Sequence, residues 1–371
     1  MGLIATPQNS PPTSPWESGS DFHWMYPWTM SNSPMPWEEN YLLMGTGREV
    51  FRALISFGQA NRNWRRLWIP IYFCQVVVAS LISTGIEVLT YPDSPRNSGG
   101  QLDNLEFRPG DVLLLVNYFG LRDKFTLPAI DRNAIDIIED HTHDPWSHWA
   151  WNSDADWCVA SLRKTLPIPD GGVLWSPAGH QLPPAASVTP EHRLAALDKF
   201  AAMVLKSLYL GNTPVKKEDF RSLAIAGEES YDQGEASGIY EWVAGLLSTF
   251  PVEAWREQRR LNYQTMSACL ADLPWVEVLQ PVNGLFATPF SAVLVCDSPA
   301  RQSRLRERLI SANIYPAILW PLNEAVIAGI PPEHLDLSRQ MLSIHCDMRY
   351  TQSDMEYVAS LISKFGEPEN G

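Results

Sequence analysis

The sequence is poor in lysine, with seven in 371 residues, and neither lysine nor arginine occurs before Arg48. Set against 42 acidic side chains, the 28 basic ones leave a formal net charge of −14. Such a balance supplies no broad cationic surface, so nucleic acid and anionic lipid are excluded as general partners. No apolar run is long enough for a bilayer, which needs about 20 residues. The longest, from Trp68 to Ile82, is interrupted by Pro70, Gln75 and Ser80. A basic, apolar leader is also missing, and the expected location is cytoplasmic. The five cysteines (Cys74, Cys158, Cys269, Cys296 and Cys346) show no C-x-x-C spacing, which fits reduced thiols rather than a disulfide framework. No internal repeat is present.

What the chain does have is 45% apolar residues, thirty prolines and fifteen tryptophans. Its length and apolar content predict about two domains. Seven prolines and four tryptophans fall in the first 37 residues, a density that forbids regular helix or central strand. Residues 1–40 therefore read as an extended arm. Its first 20 residues have the composition of a disordered tail, whereas Phe22, Trp24, Tyr26, Trp28 and Trp37 call for burial against the body of the protein or a second subunit.

Residues 41–248 read as an alternating α/β domain. Helical spacing over Arg48–Phe57 and Gln75–Ser83 alternates with apolar strands over Leu67–Phe73, Ile86–Tyr91, Val112–Asn117, Ile135–Glu139, Trp157–Ser161 and Gly172–Trp175. Such alternation predicts a mostly parallel sheet covered on both faces. Pro190–Leu210 is predicted helical with Thr189 as its cap, and 211–238 reads as a polar connection. Residues 249–371 read as a small α+β domain. It has helices over Val252–Leu273, Pro299–Ala312 and Gln352–Phe365, and strands over Val276–Leu279, Phe290–Cys296, Tyr315–Leu319 and Met341–His345.

Ligands of open α/β sheets bind at the carboxyl ends of the strands, so polar residues there are the candidates. In MGTGREVFRAL, Gly45, Thr46 and Gly47 precede a helix whose free N–H groups suit an anion. IIEDHTHDPWSH puts Asp140 and His143 at a strand end, where they can pair with a heterocyclic ligand. Alternatively, Asp140, His141, His143, Asp144 and His148 are of the types that bind zinc or iron. WCVASLRKTLPIPDGG brings Lys164 to a strand end three residues after Ser161, where a partly desolvated amine can form a Schiff base. Arg349 follows a strand in SIHCDMRY and has the bidentate fork that clamps a carboxylate.

Taken in order, the small-residue turn before a helix, IPIYFC, NYFG, Asp-x-x-His, and a serine and lysine followed by Gly-Gly resemble the DegT/DnrJ/StrS aminotransferases over about residues 40–365. These are fold type I enzymes that use pyridoxal 5′-phosphate. The resemblance implies an α/β fold of that type, with a mostly parallel seven-stranded sheet and a small C-terminal α+β domain. It implies a homodimer that transfers an amino group from a small-molecule donor to a carbonyl acceptor, a small metabolite or keto-sugar. Lys164 would hold the cofactor as a Schiff base, Asp140 would pair with the pyridinium nitrogen, and His143 would lie beside the ring. Thr46, Gly47, Arg48 and Ser161 would hold the phosphate, and Tyr72 or Phe73 would stack on the ring. The chain departs from the family in reading Ser-Leu-Arg-Lys and Pro-Asp-Gly-Gly around the lysine. It departs again near Ala236, Ser237 and Gly238, where family members reach the partner's phosphate and where Ser237 would take that role. Two other readings are a pyridoxal-phosphate enzyme of another reaction type, or a non-catalytic descendant of the fold. A third is a metal-dependent hydrolase at His141, His143 and His148.

Overall fold

A computed structural model describes residues 15–366 apart from 38, 126, 128, 129, 133, 234–235 and 283–286. The Ser- and Pro-rich residues 1–14 of the expected tail lie outside the described residues. Strand β1 (Ser18–Gly19) belongs to the arm. The large sheet comprises β2 (Tyr41–Met44), β3 (Arg66–Pro70), β4 (Glu87–Tyr91), β5 (Asp111–Val116), β6 (Ile135–Asp140), β7 (Trp157–Ser161) and β8 (Gly172–Trp175), in the spatial order β2-β8-β7-β6-β5-β3-β4. Only β8 runs antiparallel to its neighbours. Every residue of β5 and β6 is buried, as a parallel sheet covered on both faces requires.

The alternation of side chains divides the two faces. Val112, Leu114, Ile138 and Val159 pack with Val50, Phe51 and Leu54 of helix α1 (Gly47–Asn61) and with Val293 and Met341 of the C-terminal region. Leu113, Leu115, Ile137 and Cys158 face the other way, into a layer built around Trp37, Trp146, Trp149 and Trp175.

Helix α2 (Gln75–Ile82) connects β3 to β4, and the short α3 (His148–Trp151) precedes β7. After β8 come α4 (Pro190–Leu210) and α5 (Lys217–Gln233). The second of these corrects the reading of 211–238 as a polar connection. The α5 segment has little apolar periodicity of its own, but it lies along α4 so closely that a side chain at Gly227 would meet the Ala195 carbonyl oxygen at 2.9 Å. Tertiary packing here overrides weak local preference.

Helices α6 (Glu241–Leu246) and α7 (Val252–Leu270) lead to a three-stranded antiparallel sheet of β9 (Val276–Val278), β10 (Ala292–Cys296) and β12 (Met341–Ile344). Helix α8 (Pro299–Ser311), α9 (Pro332–Gln340) and α10 (Gln352–Phe365) surround it, α10 starting on a capping box of Thr351 and Asp354. The strand expected over Tyr315–Leu319 shrinks to β11 (Ile314–Tyr315), which pairs in parallel with β1.

That pairing anchors the arm. Gly19 N–H donates to Tyr350 Oη at 2.8 Å. Glu17 is buried between Lys206 (2.8 Å) and Lys217 (2.7 Å); burial opposes its ionisation, but the two lysines hold its carboxyl below the usual range. Trp24 then packs edge-on to Phe200, Trp28 meets Phe250, and Trp37 reaches Trp146 and Trp175. The arm thus runs from the C-terminal sheet, over α4, to the tryptophan layer of the large sheet. His23 and His345 are part-buried near Arg349, and desolvation first, then that guanidinium, lowers both to about 4. Their unfolded value is about 6.5, so the stability they contribute is complete above that pH and drains away as pH falls toward 4. The urea midpoint is expected to drop over this window, and His345→Gln should flatten the pH dependence. An unchanged slope in the variant would assign the loss to other groups.

Candidate functional site

Thr46, Gly47 and Ser161 come together where α1 begins. Thr46 caps the helix, its Oγ1 accepting from Glu49 N–H at 3.2 Å. Two glycines bring the backbone into contact there. A Cβ on Gly47 would stand 2.8 Å from Ser161 Cβ, and one on Gly172 would stand 2.6 Å from the Thr46 carbonyl. The first-turn amides of a 15-residue helix are therefore presented beside the end of β7.

Lys164 follows on the single turn after β7, Leu162–Lys164. Among the described residues its amine has no hydrogen-bond or ion-pair partner. Although the side chain is solvent-accessible, the surrounding protein, and next the adjacent Arg163 guanidinium, lowers its pKa from the ordinary value. Arg163 itself is held by Glu228 of α5 at 2.7 Å, as are Lys199 at 3.0 Å and Arg48 at 3.5 Å. Burial works against ionisation of Glu228, but Arg163 and Lys199 drive its carboxyl well below the usual range. Asp21, 3.9 Å from Lys199, adds a second carboxylate to this cluster.

Asp140 ends β6 on the face shared with α1. It is 5% exposed, and its Oδ1 accepts from Thr142 N–H at 2.9 Å. Burial raises its pKa, so the carboxylate is a group that a nearby cation would stabilise. His143 is packed among Phe119 (5.4 Å), Phe290 (4.8 Å) and Trp320 (5.4 Å), and burial, then Lys164 and Arg259, lowers it to about 3. It is a neutral imidazole at ordinary pH. Tyr72 and Phe73 are fully buried, their rings directed at Trp320 (6.4 and 5.4 Å).

Trp320 is the residue that sequence reasoning missed. It comes from the C-terminal region and reaches Tyr72, Phe73, Tyr118, Phe119 and His143. Both Trp320 (φ 53°) and Phe119 (φ 56°) adopt the left-handed backbone region, where bulky side chains are strained. The one sequence signal was an aromatic directly before Pro321, just past the Tyr315–Leu319 segment read as strand. Asn117, at the end of β5, was missed as well: its Nδ2 is buried without a partner among the described residues.

Two expected site residues are placed elsewhere. Arg349, read as a substrate clamp, has a side chain only 2% exposed. It is spent on Asp347 (2.8 Å from both Nε and Nη2), the Ser20 and Asp21 carbonyls, and the Phe22 ring at 4.3 Å. Its fork holds the arm. Ser237, read as serving a partner's cofactor, is fully buried in its own chain. There its N–H donates to Glu49 Oε1, its Oγ donates to the Gly238 carbonyl, and its carbonyl accepts from Gly45 N–H. The histidines of the metal reading do not converge either. His141 lies on the opposite face of the sheet from Asp140, bonded to Glu139, while His148 is half-exposed beside Asp123.

The fold, with its mostly parallel seven-stranded sheet, is similar to that of solved aminotransferase structures. TlmJ, an aminotransferase from Streptoalloteichus hindustanus, is 15% identical, with a TM-score of 0.58 over 88% of this chain and 86% of that one. A DegT DnrJ EryC1 StrS aminotransferase from Brucella abortus is 13% identical, with a TM-score of 0.54 over 89% and 87%. The chain has the fold type I aminotransferase fold. Spr1654 from Streptococcus pneumoniae, assigned to the sugar aminotransferases and solved in its PLP form, shares that fold at 11% identity, with a TM-score of 0.57 over 92% and 94%. No family model matches the sequence, and no curated protein does. In the fold type I frame, Asp140, His143, Ser161, Lys164 and the start of α1 all stand at the edge where this architecture places ligands. Helical spans are too short or too polar to cross a membrane among the described residues.

Proposed function

We propose that this chain is a pyridoxal 5′-phosphate-dependent aminotransferase that moves an amino group between a small amino donor and a carbonyl compound, of the small-metabolite or keto-sugar class. One observation carries the reading: a lysine amine of lowered pKa, unpartnered among the described residues, shares a sheet edge with a buried carboxylate and a helix N-terminus. The donor set fits the cofactor. The Gly47 and Arg48 amides and Ser161 suit its phosphate, Asp140 its ring nitrogen and Lys164 its carbonyl carbon, while the orphaned Asn117 amide and neutral His143 remain for its oxygen substituents. When bound, the cofactor supplies an electron sink that makes the C–H bond beside a substrate nitrogen acidic.

The protein's part is then positional and protonic. Lys164 Nζ, without competing partners among the described residues, would hold the cofactor and could take and return a proton. Asp140, held by Thr142 and kept from water, would favour positive charge on the cofactor's ring nitrogen. His143, unable to protonate near neutrality, contributes a hydrogen bond and a flat surface without adding charge. The aromatic wall of Tyr72, Phe119 and Trp320 excludes water from that side. The same reading makes the working unit a homodimer in the cytoplasm, with neither nucleic acid nor membrane as partner.

The test is optical. Purified protein incubated with pyridoxal 5′-phosphate and desalted should be yellow, and a panel of amino acids should include one that converts the bound cofactor to its amine form. A protein that never takes up the cofactor ends this reading, whereas uptake without conversion by any donor would leave only the ligand-binding part of it.

A further inference from the structure

Behind the strand that carries Asp140, the opposite face of the sheet holds a second polar cluster, Glu139, His141 and Cys158, on which the proposed function makes no demand. All three residues are buried, at 3%, 0% and 0% exposure. The register of the sheet sets them together: Glu139 of β6 pairs directly with Cys158 of β7, and His141 follows two residues on, its N–H bonded to the Val159 carbonyl. Glu139 Oε2 lies 3.0 Å from His141 Nε2 and 3.6 Å from Cys158 Sγ, and one donor atom from each residue falls within 4.8 Å of the others.

The two separations from Glu139 are close to edges of a zinc tetrahedron. For zinc bound to oxygen and nitrogen at about 2.0 Å and to sulfur at about 2.3 Å, the O···N edge is about 3.3 Å and the S···O edge about 3.5 Å. The donor types agree as well, since a thiolate, an imidazole and a carboxylate together suit a borderline-soft divalent ion rather than magnesium or calcium. Charge also balances, because one dication neutralises a carboxylate and a thiolate. The fourth position has an approach: Glu139 borders a cavity of about 480 Å³ whose walls include Leu115, Phe125 and Trp149.

We infer that Glu139, His141 and Cys158 form a zinc site with one open coordination position, separate from the cofactor edge on the other side of β6. On binding, the Cys158 Sγ–H proton leaves to solvent as the zinc–sulfur bond forms, and His141 binds through Nε2 as the neutral imidazole with its ring proton on Nδ1, the metal keeping its oxidation state. Among the described residues His141 Nδ1 has no hydrogen-bond partner, so the ring is oriented by the flanking Trp149 (5.2 Å) and Trp175 (5.8 Å).

Cobalt(II) titration of the full, chelator-treated protein tests this directly, because a tetrahedral cobalt–thiolate site gives an intense sulfur-to-metal charge-transfer band. The expected result is such a band saturating at one equivalent, displaced by zinc, and about one zinc per chain by elemental analysis after desalting. Cys158→Ser should abolish the band, His141→Gln should weaken binding at least tenfold, and His148→Gln should leave both unchanged. Absence of the band in the wild-type protein overturns the inference without reference to any variant. So does stoichiometric zinc that survives in Cys158→Ser.

Discussion

Lys164→Ala should leave the protein as stable as the wild type and lower amino-group transfer by at least about three orders of magnitude. The size follows from removing both the covalent anchor and the proton carrier, since a positioned acid–base group alone contributes about 10²–10⁴-fold. Three other lysines are already engaged. Lys199 is bonded to Glu228, Lys206 to Glu17 and the Asp21 carbonyl, and Lys217 to Glu17 and Tyr315. Unchanged stability follows from the absence of any described partner for Nζ, because surface substitutions of that kind fall within about 0.5 kcal/mol. The measurement pairs a thermal melt with the visible spectrum of cofactor-loaded protein. A variant that keeps the wild-type band would move the covalent role away from Lys164, and one that melts much earlier would make the residue structural.

Asp347→Ala should have the largest effect on stability. Asp347 is 4% exposed, and Arg349, with burial opposing it, holds its carboxyl well below the usual carboxylate range. Removing it strands a buried guanidinium, an outcome that costs about 3–5 kcal/mol in comparable pairs. The arm should also loosen, because Arg349 carries the Ser20 and Asp21 carbonyls and the Phe22 ring. Urea denaturation would read the first effect, and limited proteolysis within residues 15–37 the second. The double variant Asp347→Leu, Arg349→Met, which leaves no lone charge, should regain part of the loss. A midpoint shift equivalent to less than about 1 kcal/mol for Asp347→Ala would mean that the arm is held mainly by its aromatics.

Much of the frame could be read from side-chain periodicity. The strands at Trp157–Ser161 and Gly172–Trp175 and the helices at Pro190–Leu210 and Gln352–Phe365 fall where their apolar spacing and caps put them. What escaped was structure decided by distant partners. Helix α5 needs α4 beside it, β2 is a four-residue edge strand that needs β8, and the two-residue β1 and β11 exist only as each other's partners. At the candidate site, Asp140, His143 and Lys164 stood out because they sit on short polar runs after apolar strands. Trp320 and Asn117 did not, since one is brought in from the C-terminal region and the other matters only through a buried amide left without a partner. Arg349 and Ser237 are the opposite case: their types suit ligands, and within this chain they bond to Asp347 and the arm, and to Glu49 and Gly45.

The docking of the arm also fixes an order of events during synthesis. Ser18 and Gly19 are synthesised long before the strand they pair with, Ile314–Tyr315, and before Tyr350, whose hydroxyl Gly19 N–H meets. The α/β sheet can close once residue 175 has emerged, since β8 is the last of its strands. The Ser18–Gly19 end of the arm must therefore wait, undocked, through the translation of well over a hundred further residues, on the order of ten seconds at about 5–20 residues per second, whereas Trp37, Trp24 and Trp28 meet Trp175, Phe200 and Phe250 as soon as those have emerged.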